Sequence, residues 1–147
     1  MYSDCFVIDG IKIGIWATDA AVTRCCRCEK VPVNPNAITD LCKIQMLEYF
    51  AGKRETFDFS MDPDGTDFQK AVWQALKTIP FGHRRTYGDI AKMVGNPKAS
   101  RAVGGAVGKN PILIAVPCHR VVAQNGLGGF SAGMDLKLKL LELERIK

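Results

Sequence analysis

Cys118 and His119 stand side by side in Pro117-Cys118-His119-Arg120-Val121, which puts a candidate nucleophile beside a titratable base and a cation. The thiolate is the attacking form of cysteine, and basic or cationic neighbours favour it. The plain alternative is a buried structural cysteine, the usual fate of this residue type. On the residues alone both readings stand. Just upstream, Ile112-Leu113-Ile114-Ala115-Val116 reads as a buried strand, apolar on both sides. Neighbours on a strand point to opposite faces, so Cys118 and His119 need not touch, and a water could connect them. The other five cysteines, Cys5, Cys25, Cys26, Cys28 and Cys42, all fall within the first 42 residues. Cys25-x-x-Cys28 has zinc-like spacing, but a second regular pair and a spaced histidine pair are missing. Plain buried thiols are the reading adopted there, with a local disulfide and a structural metal as alternatives. No metal and no cofactor are expected at the site.

Two groups of elements must position these residues. The first part is β-rich: Phe6-Val7-Ile8, the turn Asp9-Gly10, then Ile11, Ile13 and Ile15 in alternation predict a hairpin. Ile38 to Phe50 has helical length without one clean apolar stripe, and Phe57-Asp58-Phe59 reads as a short strand. Asp62-Pro63-Asp64-Gly65 is a turn, and the domain boundary is expected there, giving an N-terminal domain over 1–62 and a C-terminal one over 63–147. Beyond it, Thr66 and Gln69 form a capping box before Phe68, Ala71, Val72, Ala75, Leu76 and Ile79 at helical spacing. Thr86 caps a short helix with Tyr87, Ile90, Ala91 and Val94 on its apolar side, and Gly95 stops it. Asn96 and Pro97 are read as N-cap and first residue of the next helix, which buries Ala99, Ala102, Val103, Ala106 and Val107. Two short helices with a tight turn predict a helix-turn-helix. Gly104 and Gly105 inside the second helix each cost about 1 kcal/mol against Ala, which implies close packing or close approach of a ligand backbone. A closing helix starts at Asp135, with Leu136, Leu140, Leu141 and Leu143 inward.

Charge adds to this. The net charge is +5, from 20 basic and 15 acidic residues, a mild bias. Yet Arg84, Arg85, Lys92, Lys98, Arg101 and Lys109 crowd the helix-turn-helix stretch against the single acid Asp89. Such a stripe fits a phosphate backbone. The second helix carries Ala, Val and Gly where a base-reading helix would carry Asn, Gln or Arg, so any DNA contact should read shape. No apolar run approaches the roughly 20 residues of a membrane helix, and the N-terminus has no signal-like core. A cytoplasmic protein is expected, nuclear in a eukaryote.

Pro117-Cys118-His119-Arg120-Val121 resembles the active-site signature of the O6-alkylguanine-DNA alkyltransferases. Thr86-Tyr87-Gly88, Asn96-Pro97, Arg101-Ala102-Val103-Gly104-Gly105-Ala106, Asn110-Pro111, Gly129-Phe130-Ser131 and the Lys137-to-Glu144 helix resemble the same family, in order and at compatible spacing. The match runs from about Thr66 to Lys147; the first 60 residues share only general character. The resemblance implies an α+β fold, with a small N-terminal sheet-plus-helix domain and a helical, winged-helix-like C-terminal domain. It implies stoichiometric, irreversible transfer of an alkyl group from O6-alkylguanine in double-stranded DNA to Cys118, with O4-alkylthymine a second candidate substrate. His119 would act as base through a water, Glu144 would hold the imidazole, Tyr87 would protonate the leaving guanine, and Asn110 would brace the turn before the site. Arg101 would enter the stack in place of the extruded nucleotide. Thr86, Lys98, Ala102 and Gly105 would line the DNA surface, and Val121, Phe130 and Ser131 the base pocket. The protein would act as a monomer.

The physics agrees: an O6-alkyl carbon inside the duplex is out of reach until its base is flipped. Phe130 replaces the Tyr of many relatives, which removes a hydroxyl contact and bears on substrate range. Two rivals remain. A DNA-binding sensor or regulator has no need of a nucleophile at 118, and a cysteine hydrolase leaves the helix-turn-helix without a purpose.

Overall fold

The computed structural model describes residues 1–145; Ile146 and Lys147, the end of the expected second domain, lie outside them. The chain divides into two compact units, Met1–Asp64 and Gly65–Lys147.

In the first unit, β1 (Tyr2–Ile8), β2 (Ile11–Ala17) and β3 (Val22–Arg27) make an antiparallel sheet in the order β1-β2-β3. Asp9 and Gly10, with φ of 48° and 81°, form the two-residue turn that joins β1 to β2. Two positive φ values in succession match the right-handed twist of the paired strands, and Asp-Gly tolerates them. Ile11, Ile13, Ile15 and Ala17 are buried. Helix α1 (Ala37–Phe50) begins at a capping box between Asn36 and Thr39. Its buried residues are Thr39, Cys42, Gln45, Met46 and Tyr49, while Leu41, Ile44 and Leu47 are exposed, which is why no clean apolar stripe was legible. Phe57–Phe59 is not the strand expected. The Asp58 amide donates to Gln45 Oε1 at 3.1 Å, so the backbone there is tied to a helix side chain instead of a ladder. The bridge to the sheet comes later, from Met61 to Val22.

The second unit holds α2 (Asp67–Leu76), β4 (Arg85–Thr86), α3 (Tyr87–Met93), α4 (Ser100–Gly108), a 3-10 turn (Cys118–Arg120), β5 (Val121–Val122) and α5 (Met134–Leu143). β4 and β5 pair in parallel. Capping boxes start α2 at Thr66/Gln69 and α3 at Thr86/Asp89. Val72, Leu76, Ile90, Val103, Ile112, Leu136 and Leu140 fill the core, and Trp73 Nε1 donates to the Ala106 carbonyl of α4 at 2.9 Å.

Two local expectations fail here. Asn96 and Pro97 do not start α4. Gly95, with φ 82°, and Asn96 close α3 instead, their amides bonding to Lys92 and Ala91 carbonyls at 3.1 and 3.0 Å in a Schellman arrangement. The Ala99 amide then bonds back to Asn96, and helix begins at Ser100. Nor is 112–116 a strand, although every residue of it is buried. Residues 113–116 are drawn into a turn by Ala115 N to Leu113 O at 2.8 Å and Val116 N to Ile112 O at 3.2 Å. Ile114 takes φ 72°, a conformation that a β-branched residue adopts only when its surroundings impose it. Apolarity on all sides reported burial there and carried no information on backbone shape.

Candidate active site

Asn110 organises the approach to the cysteine. Its Nδ2 donates to the Val116 carbonyl at 2.7 Å and its Oδ1 accepts from the Ile112 amide at 3.0 Å, which clamps both ends of the 112–116 turn. Pro117, at φ −81° and ψ 66°, forms an inverse γ-turn that the Cys118 amide closes on Val116 O at 2.8 Å. Cys118 therefore opens a 3-10 turn, not the end of a strand, so the period-two argument about Cys118 and His119 does not apply.

The thiol is buried, and burial pushes its pKa up to about 11. The Asn110 side chain, the positive charge of Lys137 and the backbone amides of Cys118 and His119 pull the other way. An amide nitrogen has two protons, so Asn110 can serve Val116 and the sulfur together. Lys137 is fully buried on α5, and burial lowers its pKa while the neighbouring sulfur raises it. Its Nζ donates to the carbonyls of Val121, Leu127 and Gly129 at 2.9, 2.5 and 3.1 Å. All three protons of the ammonium are thus used in holding the loop after β5.

His119 is wholly buried, and its Nε2 lies 2.7 Å from Glu144 Oε2. Burial lowers the imidazole pKa, against the opposing pull of Glu144. A neutral ring bonded through Nε2 to a carboxylate carries its proton on Nε2, and Nδ1, which has no protein partner among the described residues, is its basic nitrogen. Glu144, the C-cap of α5, also accepts from the Gly82 amide at 3.2 Å. Arg120 completes this cluster: Nε reaches Glu144 Oε1 at 2.8 Å, Nη2 reaches Oε2 at 3.0 Å, and Nη1 donates to Ile79 O at 2.7 Å. Sequence reasoning missed Arg120 and Lys137. A Lys or Arg is normally solvated, and only the proximity of Arg120 to the Cys-His pair was available as a signal.

Cys118, His119, Glu144 and Asn110 thus converge, with Arg120 and Lys137. Tyr87 is the first residue of α3 and lies between Gly104 of α4 and Gly128 of the loop. A Cβ added at Gly104 would lie 4.0 Å from the Tyr87 ring, and one at Gly128 would lie 2.8 Å from its hydroxyl. Gly128 has φ +72° as well, so both backbone and space demand glycine there. Val121 is buried in β5, Phe130 is half-buried, and the exposed Ser131 donates to Gly108 O at 2.8 Å, tying the loop to the end of α4. Thr86 uses its hydroxyl to cap α3, accepting from the Asp89 amide at 3.1 Å. Arg101, Ala102 and Gly105 form an exposed face of α4, with Lys98 exposed in the connection before it, so Ala102 is not among the buried residues expected of this helix. A Cβ at Gly105 would meet nothing within 4 Å.

Among the described residues, no cluster of three or more His, Cys, Asp or Glu could hold a metal ion. Cys25 and Cys42 are buried and share a thiol–thiol hydrogen bond that, with burial, raises the Cys25 pKa.

The two central pKa shifts have a consequence for stability. Cys118 holds its proton more tightly when folded, so its contribution is full below pH 9.0 and is lost as pH climbs toward about 11. His119 is depressed below 6.5, so its contribution is present above that value and is lost as pH falls through the folded pKa. Melting temperature should therefore drop on both sides. Cys118→Ser should blunt the alkaline drop alone, and an alkaline limb identical in that variant would contradict the assignment.

Residues 67–146 match the family model described as 6-O-methylguanine DNA methyltransferase, DNA binding domain. A methylated-DNA–protein-cysteine methyltransferase of Methanosarcina acetivorans is 59% identical over 101 residues, which cover 68% of this chain and 65% of that protein. The chain thus spans just under two thirds of the length of this curated relative. The crystal structure of Mycobacterium tuberculosis O6-methylguanine methyltransferase superposes with a TM-score of 0.89 at 38% identity, covering 98% of this chain and 92% of the other. Mycobacterium tuberculosis OGT in complex with DNA superposes at 0.90 and 39%, covering 99% and 93%. A motif set in register, a matching α+β architecture and a model match over more than half of its length place the chain in the 6-O-methylguanine DNA methyltransferase family.

Proposed function

We propose that this protein repairs DNA by direct reversal, transferring the alkyl group of O6-alkylguanine to Cys118 and ending as a thioether. One observation carries the reading: a buried thiol stands beside a buried, neutral imidazole that is bonded through Nε2 to a carboxylate. A thiol with a pKa near 11 is thiolate in only about one molecule in 10^4 at pH 7, so a proton acceptor is needed at the moment of attack. His119 Nδ1 takes that proton, directly or through a water, and the resulting imidazolium is stabilised by Glu144. Asn110, the local amides and Lys137 stabilise the sulfur as it gains charge. The sulfur displaces guanine from the alkyl carbon, the carbon–oxygen bond breaks, and Tyr87 supplies a proton to the leaving base. A carbon–sulfur bond formed this way has no route back to thiol, so each molecule repairs one lesion.

The partner is duplex DNA carrying the lesion, with O4-alkylthymine a second candidate substrate. We infer that α3 and α4 act as a helix-turn-helix, with Arg101, Ala102, Gly105, Lys98 and Thr86 on the DNA side, and that Arg101 enters the stack when the base is flipped. Small residues on the exposed α4 face suit a shape-reading approach that ignores sequence. Val121, Phe130 and Ser131 line the base pocket. The Met1–Asp64 unit has a structural role, and the chain works as a monomer in the cytoplasm, or in the nucleus of a eukaryote. No described helix is long and apolar enough to cross a membrane.

The DNA product decides the reaction class. Incubation with duplex bearing O6-methylguanine should convert that base to guanine in an intact strand. An abasic site would mean a glycosylase, and unchanged O6-methylguanine in a tight complex would mean a lesion sensor.

A further inference from the structure

Arg120 lies next to His119 and is 5% exposed, yet each of its guanidinium nitrogens has a partner. Nε and Nη2 fork onto the two oxygens of Glu144, Nη1 is anchored on Ile79 O, and the Phe81 ring lies 5.8 Å from the guanidinium carbon. Glu144 is the same carboxylate that holds His119, and its Oε2 is shared between Arg120 Nη2 and His119 Nε2. A bidentate guanidinium fixes the plane of a carboxylate, and here that plane decides where Oε2 meets the imidazole. Charge-assisted bonds also favour the ionised acid, whereas burial by itself favours the neutral one. A neutral Glu144 would donate to Nε2, and the imidazole proton would move to Nδ1, the nitrogen that must accept from the thiol.

We propose that Arg120 is a positioning residue for the transfer reaction: its fork keeps Glu144 a hydrogen-bond acceptor, so that His119 carries its proton on Nε2 and presents Nδ1 as the base. The inference rests on reading His119 as the base of alkyl transfer. Among the described residues, the groups that meet the carboxylate include His119 and Arg120 from the 3-10 turn and the neutral Gly82 amide from the turn after α2; Lys137, on the carboxylate's own helix, acts on His119 by charge. The guanidinium nitrogens of Arg120 are engaged by Glu144 and the Ile79 carbonyl, so its effect on the imidazole passes through Glu144.

The test compares wild type, Arg120→Lys, Arg120→Met, Glu144→Gln and the double variant Arg120→Met/Glu144→Gln. The full-length protein reacts with free O6-benzylguanine across pH, and folding is followed by thermal melting and duplex affinity. Arg120→Met should slow benzyl transfer by about 10- to 100-fold near neutral pH, with the acid limb of the rate moved to higher pH and duplex affinity within a few-fold of wild type. Arg120→Lys, which keeps the charge and loses the fork, should restore most of the acid limb and part of the rate. In the Glu144→Gln background there is no carboxylate left to hold ionised, so the double variant should react as fast as Glu144→Gln alone. A pH profile for Arg120→Met parallel to wild type, or an equal further loss in the double variant, overturns the proposal. Should Arg120→Met fail to fold, the lysine and double variants carry the same decision, since the double removes both charges. Wild-type protein that takes no benzyl group would sink the transfer reading itself; normal wild-type transfer with parallel profiles sinks the Arg120 proposal alone.

Discussion

Replacing Cys118 by serine should reduce alkyl transfer by at least about 10^3-fold, equivalent to some 4 kcal/mol of transition-state stabilisation, while duplex affinity stays within a few-fold. The two effects separate because they arise from different parts of the second unit. On the proposed reading, affinity comes from exposed cations such as Lys98 and Lys109, whose contribution is long-range and salt-dependent. Transfer, on the same reading, comes from a sulfur whose proton His119 removes and whose charged form Asn110 and Lys137 favour. A serine hydroxyl at the same place is nearly isosteric but far less acidic, and the base beside it is a neutral imidazole of lowered pKa. Quench-flow transfer from labelled duplex, with affinity measured on the same samples, checks this. Retained transfer would move the acceptor elsewhere, and lost affinity with lost transfer would mean that serine disrupts the fold around residues 112–120.

Arg101→Ala should slow repair of O6-methylguanine in duplex DNA by about 10- to 100-fold, or 1.4 to 2.8 kcal/mol, and leave reaction with free O6-benzylguanine almost unchanged. Arg101 is exposed in the first turn of α4, and it makes no hydrogen bond or ion pair among the described residues. Extruding a base costs a few kcal/mol, and a side chain that fills the gap recovers part of it. A residue that served only as a phosphate contact would instead weaken binding to any duplex and lower the salt slope by about one. Equal losses on both substrates would place Arg101 in the structure of the thiol site, and no loss on either would make it a solvated charge.

Much of the architecture was legible from the chain because local signals agreed with tertiary ones. Asp9-Gly10 demanded a tight hairpin, Thr66/Gln69 and Thr86 marked helix starts, and alternating Ile11, Ile13 and Ile15 marked a half-buried strand. The failures have physical causes. Residues 112–116 are apolar throughout, and a run of that kind reports burial while staying silent on backbone shape; the turn there is imposed by Asn110 from outside the run. Asn96-Pro97 offered a plausible helix start, but Gly95 and Asn96 were engaged in ending α3. At the site, motif register supplied Cys118, His119, Glu144 and Asn110. Arg120 and Lys137 stayed hidden because a buried cation is defined by partners far along the chain, such as Ile79 O for Arg120 and Val121 O for Lys137.

Intact mass after reaction with excess O6-methylguanine duplex, followed by peptide mapping, tests the acceptor assignment most directly. One methyl group should be added per protein, the rise should stop there however long the incubation, and the label should map to Cys118. Continued turnover, more than one methyl group, or label on Cys25, Cys26 or Cys28 would contradict single transfer to the thiol beside His119.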